Sequence, residues 1–395
     1  MINLILICFT LVSGFLVIYH HVGYPIILRF LTKKKQSITI NNYQRQYTNS
    51  IYDNELVSIA IVIPAYNEAQ WIAEKIRNLA ALDYPTNQLQ IIIGCDGCTD
   101  NTYAIAIQTS QEPECTHLNI NIINFKKNRG KVAVLNELID QVDSELIALT
   151  DTSALISIDA LLIAAERFKD PNIGVLNGHY QLISPGSEGE QAYWNYQSEI
   201  KLSEAALGST LGAHGAFYIF RYELFEPLAA DTINDDFILP MRIVAEGYKA
   251  DYESSINALE LENANDKQDH QRRRRIAAGN FQQLLRLKAL LLPRYKGIAF
   301  SFISGKALRV IMPFLMIFAL VGSLLLATNY IVFLILATLQ VIAYTLATWE
   351  LYFKPKKSNR VSKLLAYLVS GHVAGLIGVM RYLLRLDKGH WKKMD

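Results

Sequence analysis

The stretch Ser58-Ile59-Ala60-Ile61-Val62-Ile63-Pro64 decides the fold class, and Ala65-Tyr66-Asn67-Glu68 follows it directly. A short apolar run that is rich in β-branched residues is typical of a strand buried on both faces of a sheet. Residues 68–82 then repeat apolar positions with helical spacing. A buried strand followed by a helix predicts an α/β domain that begins near residue 57.

The same alternation continues downstream of this first strand. Short β-branched runs at residues 89–94, 119–125 and 145–150 predict three more strands, and segments with helical spacing separate them. We therefore predict one α/β domain over residues 57–280. Because ligand groups in such domains gather where strands end, the residues that follow each run are the candidates for chemistry.

The composition favours a membrane protein. Of 395 residues, 51% are hydrophobic, and the formal net charge is only +2, so the charge balance argues against a nucleic-acid partner. Four cysteines without a dense disulfide pattern suit a reducing compartment. Cys95 and Cys98 have the spacing of half a zinc site or of a redox pair, but no second pair follows them.

Residues 2–28 contain no Asp, Glu, Lys or Arg and are long enough for one membrane-spanning helix. A cleaved signal peptide is the alternative, but the start lacks a basic segment and no small-residue cleavage pattern follows. Arg29 and Lys33-Lys34-Lys35 come next, and the positive-inside rule assigns that end to the cytoplasm. We predict a transmembrane helix over residues 1–30 and a cytoplasmic linker over residues 31–56.

A second uncharged run, residues 310–349, is twice the length of one span, and Thr328-Asn329 offers a turn near its middle. It predicts a transmembrane hairpin over residues 306–353 that returns to the basic side. Within residues 361–395, the run 364–380 lies at the short limit for a span, so an interfacial or re-entrant helix is preferred to a crossing helix. Residues 281–305 are predicted to form an amphipathic segment on the membrane.

Carboxylates follow two of the predicted strands. Asp96 lies in the loop Cys95-Asp96-Gly97-Cys98-Thr99-Asp100, where it can accept from a nucleobase or a ribose; a helix cap without a ligand is the alternative. Asp151 follows the fourth strand, where it can face a divalent cation that bridges a diphosphate. Lys131, in Asn128-Arg129-Gly130-Lys131 ahead of a helix, can meet phosphate or belong to a solvated basic turn.

Two charged segments downstream complete the candidates. Asp235 and Asp236 begin a segment with helical spacing, where they can supply a general base or cap the helix. Gln271-Arg272-Arg273-Arg274-Arg275 places at least two guanidinium groups on one helix face, which suits a pyrophosphate leaving group; attraction to lipid headgroups is the competing role.

Taken in order, these residues resemble the family 2 glycosyltransferases of the A-type fold, especially the membrane-bound branch that contains cellulose, chitin and hyaluronan synthases. The resemblance extends from about residue 24 to residue 391. It rests on Val62-Ile63-Pro64-Ala65-Tyr66-Asn67-Glu68, the Asp96 loop, Asn128-Arg129-Gly130-Lys131, Asp151, Gly215-Ala216 with Arg221, Asp236 eleven residues before Gly247, and Arg272-x-x-Arg275. It implies a nucleotide-diphospho-sugar domain with a Rossmann-like mixed sheet, inserted between transmembrane helices.

The resemblance also implies a role for each matched residue. Ala65, Glu68 and Asp96 would hold the nucleotide base and ribose, Lys131 would belong to the donor site, and Asp151 would face the metal and the diphosphate. Asp236 would be the catalytic base that deprotonates the acceptor hydroxyl, which gives single displacement with inversion. Arg272 and Arg275 would bind the leaving diphosphate, and His214, Gly215 and Asp235 would meet the acceptor.

The sequence departs from the family pattern at two positions. The usual D-x-D motif reads Asp151-Thr152-Ser153, and a serine hydroxyl is a poorer ligand than a carboxylate for the expected Mg²⁺ or Mn²⁺. The motif usually written Q-x-x-R-W has Arg272 in place of its glutamine and Ile276 in place of its tryptophan. This change removes an aromatic platform for a growing polysaccharide.

The sequence therefore predicts an inverting glycosyltransferase that moves a sugar from a nucleotide sugar, first of all a UDP-sugar, to a saccharide or lipid-linked acceptor during surface or extracellular polysaccharide synthesis. A processive synthase that secretes its polymer is the second interpretation. A membrane scaffold that has lost the chemistry is the third. The predicted location is a bacterial inner membrane with the catalytic domain in the cytoplasm.

Overall fold

The computed structural model describes residues 2–33, 55–184, 188–262, 266–353, 359–384 and 386. The chain divides into two compact units. The first contains Met1–Phe30, Asp266–Leu291 and Ala299–Asp387, and the second contains Leu31–Asn265, Leu292–Ile298 and Lys388–Asp395. Most of the predicted linker, and most of the basic residues that follow the first span, the hairpin and the last helix, lie outside the described residues.

The second unit is built on a mixed sheet. Its strands are β1 Ile59–Ala65, β2 Leu89–Asp96, β3 Ile120–Phe125, β4 Leu146–Thr150, β5 Ala154–Ile156, β6 Ile173–Leu182, β7 Phe217–Arg221 and β8 Lys249–Glu260. They pair in the order β3-β2-β1-β4-β7-β6-β8-β5. The first four strands are parallel, β7 is antiparallel to both of its neighbours, and β6 and β8 are parallel. The predicted Rossmann-like mixed sheet is confirmed.

The helices alternate with these strands and flank them. They are α1 Ile2–Ile18, α2 Tyr24–Thr32, α3 Ile72–Ala80, α4 Thr102–Ser110, α5 Lys131–Ile139, α6 Ala160–Arg167, α7 Glu188–Leu207, α8 Asp235–Ala245, α9 Asp266–Arg286, α10 Gly297–Ser301, α11 Leu308–Leu326, α12 Ile331–Phe353 and α13 Arg360–Leu383. Helices α3 to α8 belong to the second unit, together with the sheet.

The opening strand behaves as its apolar run predicts, because every residue of β1 is buried. The helix after it begins later than the spacing predicts, at Ile72 rather than at Glu68. The backbone N–H of Glu68 donates to the Thr102 hydroxyl at 2.7 Å, and the N–H of Ala69 donates to an Asp100 oxygen at 3.2 Å. These contacts hold the segment as a turn against the Asp96 loop instead of the first turn of a helix.

Lys75 lies on the apolar side of α3 and is fully buried. Its Nζ donates to the Thr150 hydroxyl at 2.7 Å and to the carbonyl oxygen of Ala154, and the Thr150 hydroxyl donates to the Ala216 carbonyl at 2.6 Å. Burial lowers the pKa of Lys75 to about 7, against the attraction of Asp151 and Glu260. This side chain therefore supports the turn between β4 and β5 from beneath.

Among the described residues, four helices are long and apolar enough to cross a membrane, and most of their residues belong to the first unit: Asn3–Thr32, Gly297–Leu326, Ile331–Phe353 and Val361–Leu383. This finding indicates an integral membrane protein. The predicted turn at Thr328-Asn329 is confirmed, because α11 ends at Leu326 and α12 begins at Ile331. The last helix has sufficient length for a crossing, and its placement in or along the membrane stays a prediction.

Helices α1 and α11 pack against each other in antiparallel directions. Near one end, a Cβ on Gly322 would collide with Thr10, so Gly322 permits close approach of the two helices. Near the other end, the Tyr19 hydroxyl lies 2.8 Å from the Ser304 hydroxyl. A π-helical turn adjoins each helix at this second level: Tyr19–Gly23 follows α1, and Phe302–Ala307 precedes α11.

We predict that Lys75 makes stability depend on pH. Its pKa is depressed from 10.5 to about 7 in the folded chain, so between these values the unfolded chain binds more protons and the free energy of unfolding rises with pH. Replacement by methionine in Lys75→Met removes this dependence. The melting temperature of the variant, measured against that of the native protein, should therefore fall by about 3 °C or more between pH 7 and pH 9.5.

The matched control for this experiment is Lys127→Met, which changes an exposed lysine. Its melting temperature should keep the same offset from the native protein at both pH values. The measurement is intrinsic-fluorescence melting of the purified chain in detergent. An equal offset for Lys75→Met at both pH values would contradict the prediction.

Candidate active site

Three parallel strands end at one edge of the sheet, and this edge carries the candidate site. β1 ends at Ala65, β2 at Asp96 and β4 at Thr150, directly before Asp151. β7 runs antiparallel to β4, with Thr150 paired to Phe217, so the loop before β7 reaches the same edge. Segments that are distant in sequence thus converge there.

Asp96 is fully buried and joins two loops. Its oxygens accept from the backbone N–H of Arg129 at 2.9 and 3.1 Å, and Oδ2 also accepts from the N–H of Gly130 at 2.8 Å. Gly97 has a φ of 63°, and a Cβ there would lie 2.3 Å from the backbone of the second loop. In this structure Asp96 fixes the loop ahead of Lys131, and its contact with a nucleotide stays a prediction.

Lys131 is the cation of the site. Its Nζ donates to Asp151 Oδ1 at 2.9 Å and lies 3.6 Å from Asp235 Oδ2. Burial by itself would lower the pKa of Lys131, but Asp151, Asp235 and Asp236 outweigh burial and raise the pKa above its ordinary value. The ammonium group is therefore charged at neutral pH and neutralises part of a cluster of carboxylates.

Gly215 and Tyr218 surround the same cluster. A Cβ on Gly215 would lie 3.0 Å from Asp151 Oδ2, so the absence of a side chain leaves room beside that carboxylate. The Tyr218 hydroxyl is buried and has no hydrogen-bond partner among the described residues. Burial, and then Asp235, Asp236 and Asp151, raise the pKa of Tyr218 well above its ordinary value. The hydroxyl keeps its proton and can donate it to an incoming anionic oxygen.

Asp235 and Asp236 open α8 but have different surroundings. Asp235 is 8% exposed and faces Lys131, whereas the side chain of Asp236 is partly exposed. The Asp236 carbonyl accepts from the backbone N–H of Ala213 at 2.7 Å. Of the two carboxylates, Asp236 is the one that a molecule outside the fold can reach.

The loop before β7 is held by α7. Lys201 Nζ donates to the carbonyl of Gly212 at 3.1 Å, and Glu204 accepts from the backbone N–H of Leu211 at 3.0 Å. Gly212 has a φ of 71°, and a Cβ there would collide with Phe237 of α8. Helix α7 thus fixes the loop that carries His214 and Gly215 between Asp151 and Asp236.

An aromatic cluster adjoins this loop. The ring of His214 stacks on Tyr180 with centroids 3.8 Å apart, and Trp194 lies 4.4 Å from Tyr180 and 5.3 Å from His214. Tyr180 is buried, whereas Trp194 is half-buried. These three rings, which we call the aromatic cluster, present an apolar surface with polar edges one residue from Gly215.

The metal ligands available at this edge are few. Among the described residues, no three His, Cys, Asp or Glu side chains are grouped so that they could hold a metal ion. Asp151 is about one third exposed and already contacts Lys131, while Ser153 is buried directly before β5. The unpartnered Tyr218 hydroxyl beside Asp151 fits a site that a bound group completes. Protein ligands at this edge suit a cation that brings most of its oxygen ligands with it.

The structure brings together six of the predicted site residues at this edge: Lys131, Asp151, His214, Gly215, Asp235 and Asp236. Ala65 and Asp96 end neighbouring strands, and Glu68 lies in the turn after β1. Arg272 and Arg275 are exposed residues of α9 in the first unit, so their role toward the donor stays a prediction.

Sequence reasoning missed four contributors: Lys75, Lys201, Tyr218 and Trp194. One of them had a usable signal, because Lys75 interrupts the apolar stripe formed by Ile72, Ile76 and Leu79. A charged residue in such a stripe marks a buried polar contact. The other three depend on tertiary contacts that no local pattern encodes.

Comparison with known proteins agrees with this geometry. Residues 60–228 match the family model described as Glycosyl transferase family 2. The chain is 26% identical over 208 residues to the poly-beta-1,6-N-acetyl-D-glucosamine synthase of Staphylococcus aureus (strain COL), which covers 51% of this chain and 49% of that protein. The Staphylococcus epidermidis synthase of the same name is 26% identical over 207 residues, covering 50% and 48%. The chain spans about half the length of the curated relatives it matches.

A solved structure of similar fold is the mannosyltransferase PcManGT from Pyrobaculum calidifontis, in complex with GDP-Man and Mn²⁺. It has a TM-score of 0.72 and 20% identity and covers 96% of this chain and 100% of that one. Sheet order and this likeness show the A-type fold. The family model agrees with this fold, because the residues that it matches, 60–228, lie within the unit that contains the mixed sheet.

Proposed function

We propose that this protein is an inverting glycosyltransferase that moves a sugar from a nucleotide-diphosphate sugar to a saccharide or lipid-linked acceptor in surface or extracellular polysaccharide synthesis. The observation that carries the proposal is the convergence of Lys131, Asp151 and Asp236 at one strand edge of a family 2 domain. The names of the Staphylococcus relatives support the polysaccharide assignment.

On the donor side, the charged Lys131 and the protonated Tyr218 hydroxyl are positioned to meet diphosphate oxygens beside Asp151. Ala65, Glu68 and Asp96 belong to the strand ends and turns that would surround the base and ribose, and a UDP-sugar is the proposed donor. Arg272 and Arg275 are proposed to share the charge of the departing diphosphate. Asp96 would act through the loop that it orders, since its oxygens accept backbone N–H groups.

On the acceptor side, Asp236 takes the proton from the acceptor hydroxyl. The acceptor oxygen then forms a bond to the anomeric carbon as the bond to the diphosphate breaks, and the nucleoside diphosphate leaves with that electron pair. A single displacement of this kind inverts the sugar carbon. Asp235 remains paired with Lys131 and keeps the ammonium beside Asp151.

The expected cation is Mg²⁺ or Mn²⁺, and Asp151 would supply its protein carboxylate. When bound, such a cation neutralises diphosphate charge during departure of the leaving group. Ser153 contributes no negative charge, so the cation would reach the site as a complex with the donor. The Mn²⁺ named for the Pyrobaculum structure supports this assignment.

The proposed location is a bacterial inner membrane with the catalytic domain in the cytoplasm. The support is the position of basic residues at the ends of the apolar helices, according to the positive-inside rule. A membrane-impermeant thiol reagent should leave the half-buried Cys98 unlabelled in sealed cells and label it after permeabilisation. Labelling in sealed cells would contradict the orientation.

A processive polysaccharide synthase is the second candidate function. The name of the Staphylococcus relatives favours it, whereas Arg272 and Ile276 replace the glutamine and tryptophan of the motif that a growing chain uses. Product length separates the two functions, because a processive enzyme makes long polymer at an early stage while much acceptor remains unused.

We expect Asp236→Asn to lower turnover about a hundredfold or more while nucleotide binding is kept, because the amide cannot accept the acceptor proton. The measurement is release of nucleoside diphosphate from a panel of nucleotide sugars, beside direct binding of the nucleotide. The control is Glu246→Gln, an exposed residue just past the far end of α8. Native turnover in Asp236→Asn would remove the assignment of the base.

We expect Trp194→Ala to weaken binding of the acceptor and to leave binding of the donor unchanged. The half-buried indole borders the loop of His214 and Gly215, and loss of an aromatic stacking surface costs about 1 kcal/mol or more, which corresponds to a rise of about fivefold or more in the acceptor KM. Trp194→Phe keeps a ring and should show a smaller change. An unchanged acceptor KM in Trp194→Ala, with folding preserved, would argue against this role.

We expect activity to depend most strongly on the metal at low donor concentration. EDTA should silence the native enzyme at low donor concentration, and Ser153→Asp should lower the Mn²⁺ concentration for half-maximal activity by about tenfold, because hard cations depend on ligand charge. Ser153→Asn replaces the hydroxyl with an uncharged amide oxygen and should have a smaller effect. Full native activity in EDTA at every donor concentration would show that Lys131 and the arginines suffice.

A further inference from the structure

The membrane unit contains a polar cluster that the transfer reaction does not use. His20 lies in the π-helical turn after α1, with its Nδ1 2.8 Å from the Ser304 carbonyl oxygen. The next residue, His21, has its Nδ1 2.8 Å from the Val17 carbonyl and its Nε2 2.9 Å from Nε2 of His372 on α13. We call His20, His21 and His372 the histidine cluster.

The partners of these rings fix where their protons lie. A carbonyl only accepts, so Nδ1 of His20 and Nδ1 of His21 carry the protons that they donate. Nε2 of neutral His21 is then an acceptor and receives the N–H of His372 Nε2. Nε2 of His20 and Nδ1 of His372 remain as lone pairs, and the described part of the chain offers neither a hydrogen-bond partner. Two nitrogens can therefore accept an O–H from a ligand.

The charge around the histidine cluster is unbalanced. The four candidate spans contain one acidic residue, Glu350, which accepts from the Ser362 hydroxyl at 2.9 Å. Their basic residues are Arg29, Lys306, Arg309, Lys363 and Arg381. Arg309 is exposed and acts electrostatically on all three rings, and among the described residues no carboxylate does so. A basic group such as Arg309 in a membrane-spanning helix needs an anionic partner.

The depth of these residues points to the source of that anion. His20 follows Asn3 by 17 residues, and Arg309 precedes Leu326 by 17 residues, on two antiparallel helices whose Thr10 and Gly322 meet at one side. At 1.5 Å per residue, His20 lies about 26 Å from Asn3 and Arg309 about 26 Å from Leu326, the helix ends beyond Thr10 and Gly322. A hydrocarbon layer is about 30 Å thick, so the cluster lies close to the opposite headgroup layer. Lipid phosphates lie at this level.

The helices themselves are adapted at the same level. Tyr19–Gly23 and Phe302–Ala307 are both π-helical, and they carry Tyr19, His20, His21 and Ser304 of the network. Wide turns of this kind interrupt the regular hydrogen bonding of a helix and occur often at functional sites. Both turns therefore place the polar network where the regular hydrogen bonding of the two helices is interrupted.

We propose that the histidine cluster and Arg309 bind the phosphate of a membrane lipid whose head group is a phosphate monoester. A singly protonated monoester offers an anionic oxygen to the Arg309 guanidinium and a P–OH that donates to Nε2 of His20 or Nδ1 of His372. The phosphate of a phosphodiester head group lacks the P–OH and cannot donate to those nitrogens. The proposal rests on the membrane placement under the proposed function and is independent of the transfer reaction.

The test uses the full chain in dodecyl maltoside micelles and counts bound lipid by native mass spectrometry. Dioctanoyl phosphatidic acid should bind about tenfold or more tightly than dioctanoyl phosphatidylglycerol or phosphatidylcholine. Arg309→Gln should weaken binding of phosphatidic acid about tenfold, as expected for loss of a charge-assisted hydrogen bond. Lys363→Gln, which removes a basic residue about two and a half turns before His372 on α13, is the control and should bind as the native chain does.

Two variants test the lone pairs of His20 Nε2 and His372 Nδ1 separately from the hydrogen bonds within the protein. His20→Asn keeps an N–H where Nδ1 donates to Ser304, and His372→Gln keeps an N–H where Nε2 donates to His21, so each loses only its lone pair. Each variant should weaken binding of phosphatidic acid about threefold or more and leave binding of phosphatidylcholine unchanged. If either variant fails to fold, the exposed Arg309 carries the test.

Equal binding of phosphatidic acid and phosphatidylglycerol, or native binding by Arg309→Gln, would overturn the proposal. Inorganic phosphate that binds as tightly as phosphatidic acid would overturn the assignment to a lipid. Release of nucleoside diphosphate is measured on the same preparations. Sugar transfer without a preference for phosphatidic acid would contradict only this inference. Binding of the lipid without release of nucleoside diphosphate would contradict only the proposed function.

Discussion

The Lys131 ammonium is the interaction on which the candidate site depends. It lies between a carboxylate at the end of β4 and another at the start of α8, with a third carboxylate close behind. Without this cation, Asp151, Asp235 and Asp236 would repel one another across a partly buried edge, and burial would make that repulsion stronger than in water. One charge thus allows three segments that are far apart in sequence to meet.

Several devices keep that ammonium in place. Asp96 accepts from the two backbone N–H groups just before Lys131, and Gly130 takes a φ of 91° so that the chain can turn into α5. Lys75 supports the turn that carries Asp151 from the buried face. The site is consequently built on rigid elements, with the surrounding loops fixed by groups that have no need to touch a substrate.

The sequence allowed prediction of the parts that depend on local pattern. The four parallel strands and the turn at Thr328-Asn329 follow from apolar runs and turn residues, and the mixed sheet followed from the family resemblance. The start of α3 was misplaced, because Glu68 and Ala69 bond to a loop thirty residues away. The roles of Tyr218 and Trp194 could not be predicted, because they depend on which residues become neighbours in the sheet. Strands that are adjacent in the sheet are not all consecutive in the sequence.

The start of α8 shows how adjacent and identical side chains come to differ. Successive residues of a helix point about 100° apart, so when Asp235 faces Lys131, Asp236 must face elsewhere. The backbone of Asp236 is fixed by the Ala213 N–H, within the loop that α7 holds through Lys201 and Glu204. One carboxylate is therefore committed to charge balance within the protein, and its neighbour remains reachable from outside. The division of roles follows from helix geometry together with one ion pair, and it requires no difference in chemistry between the two residues.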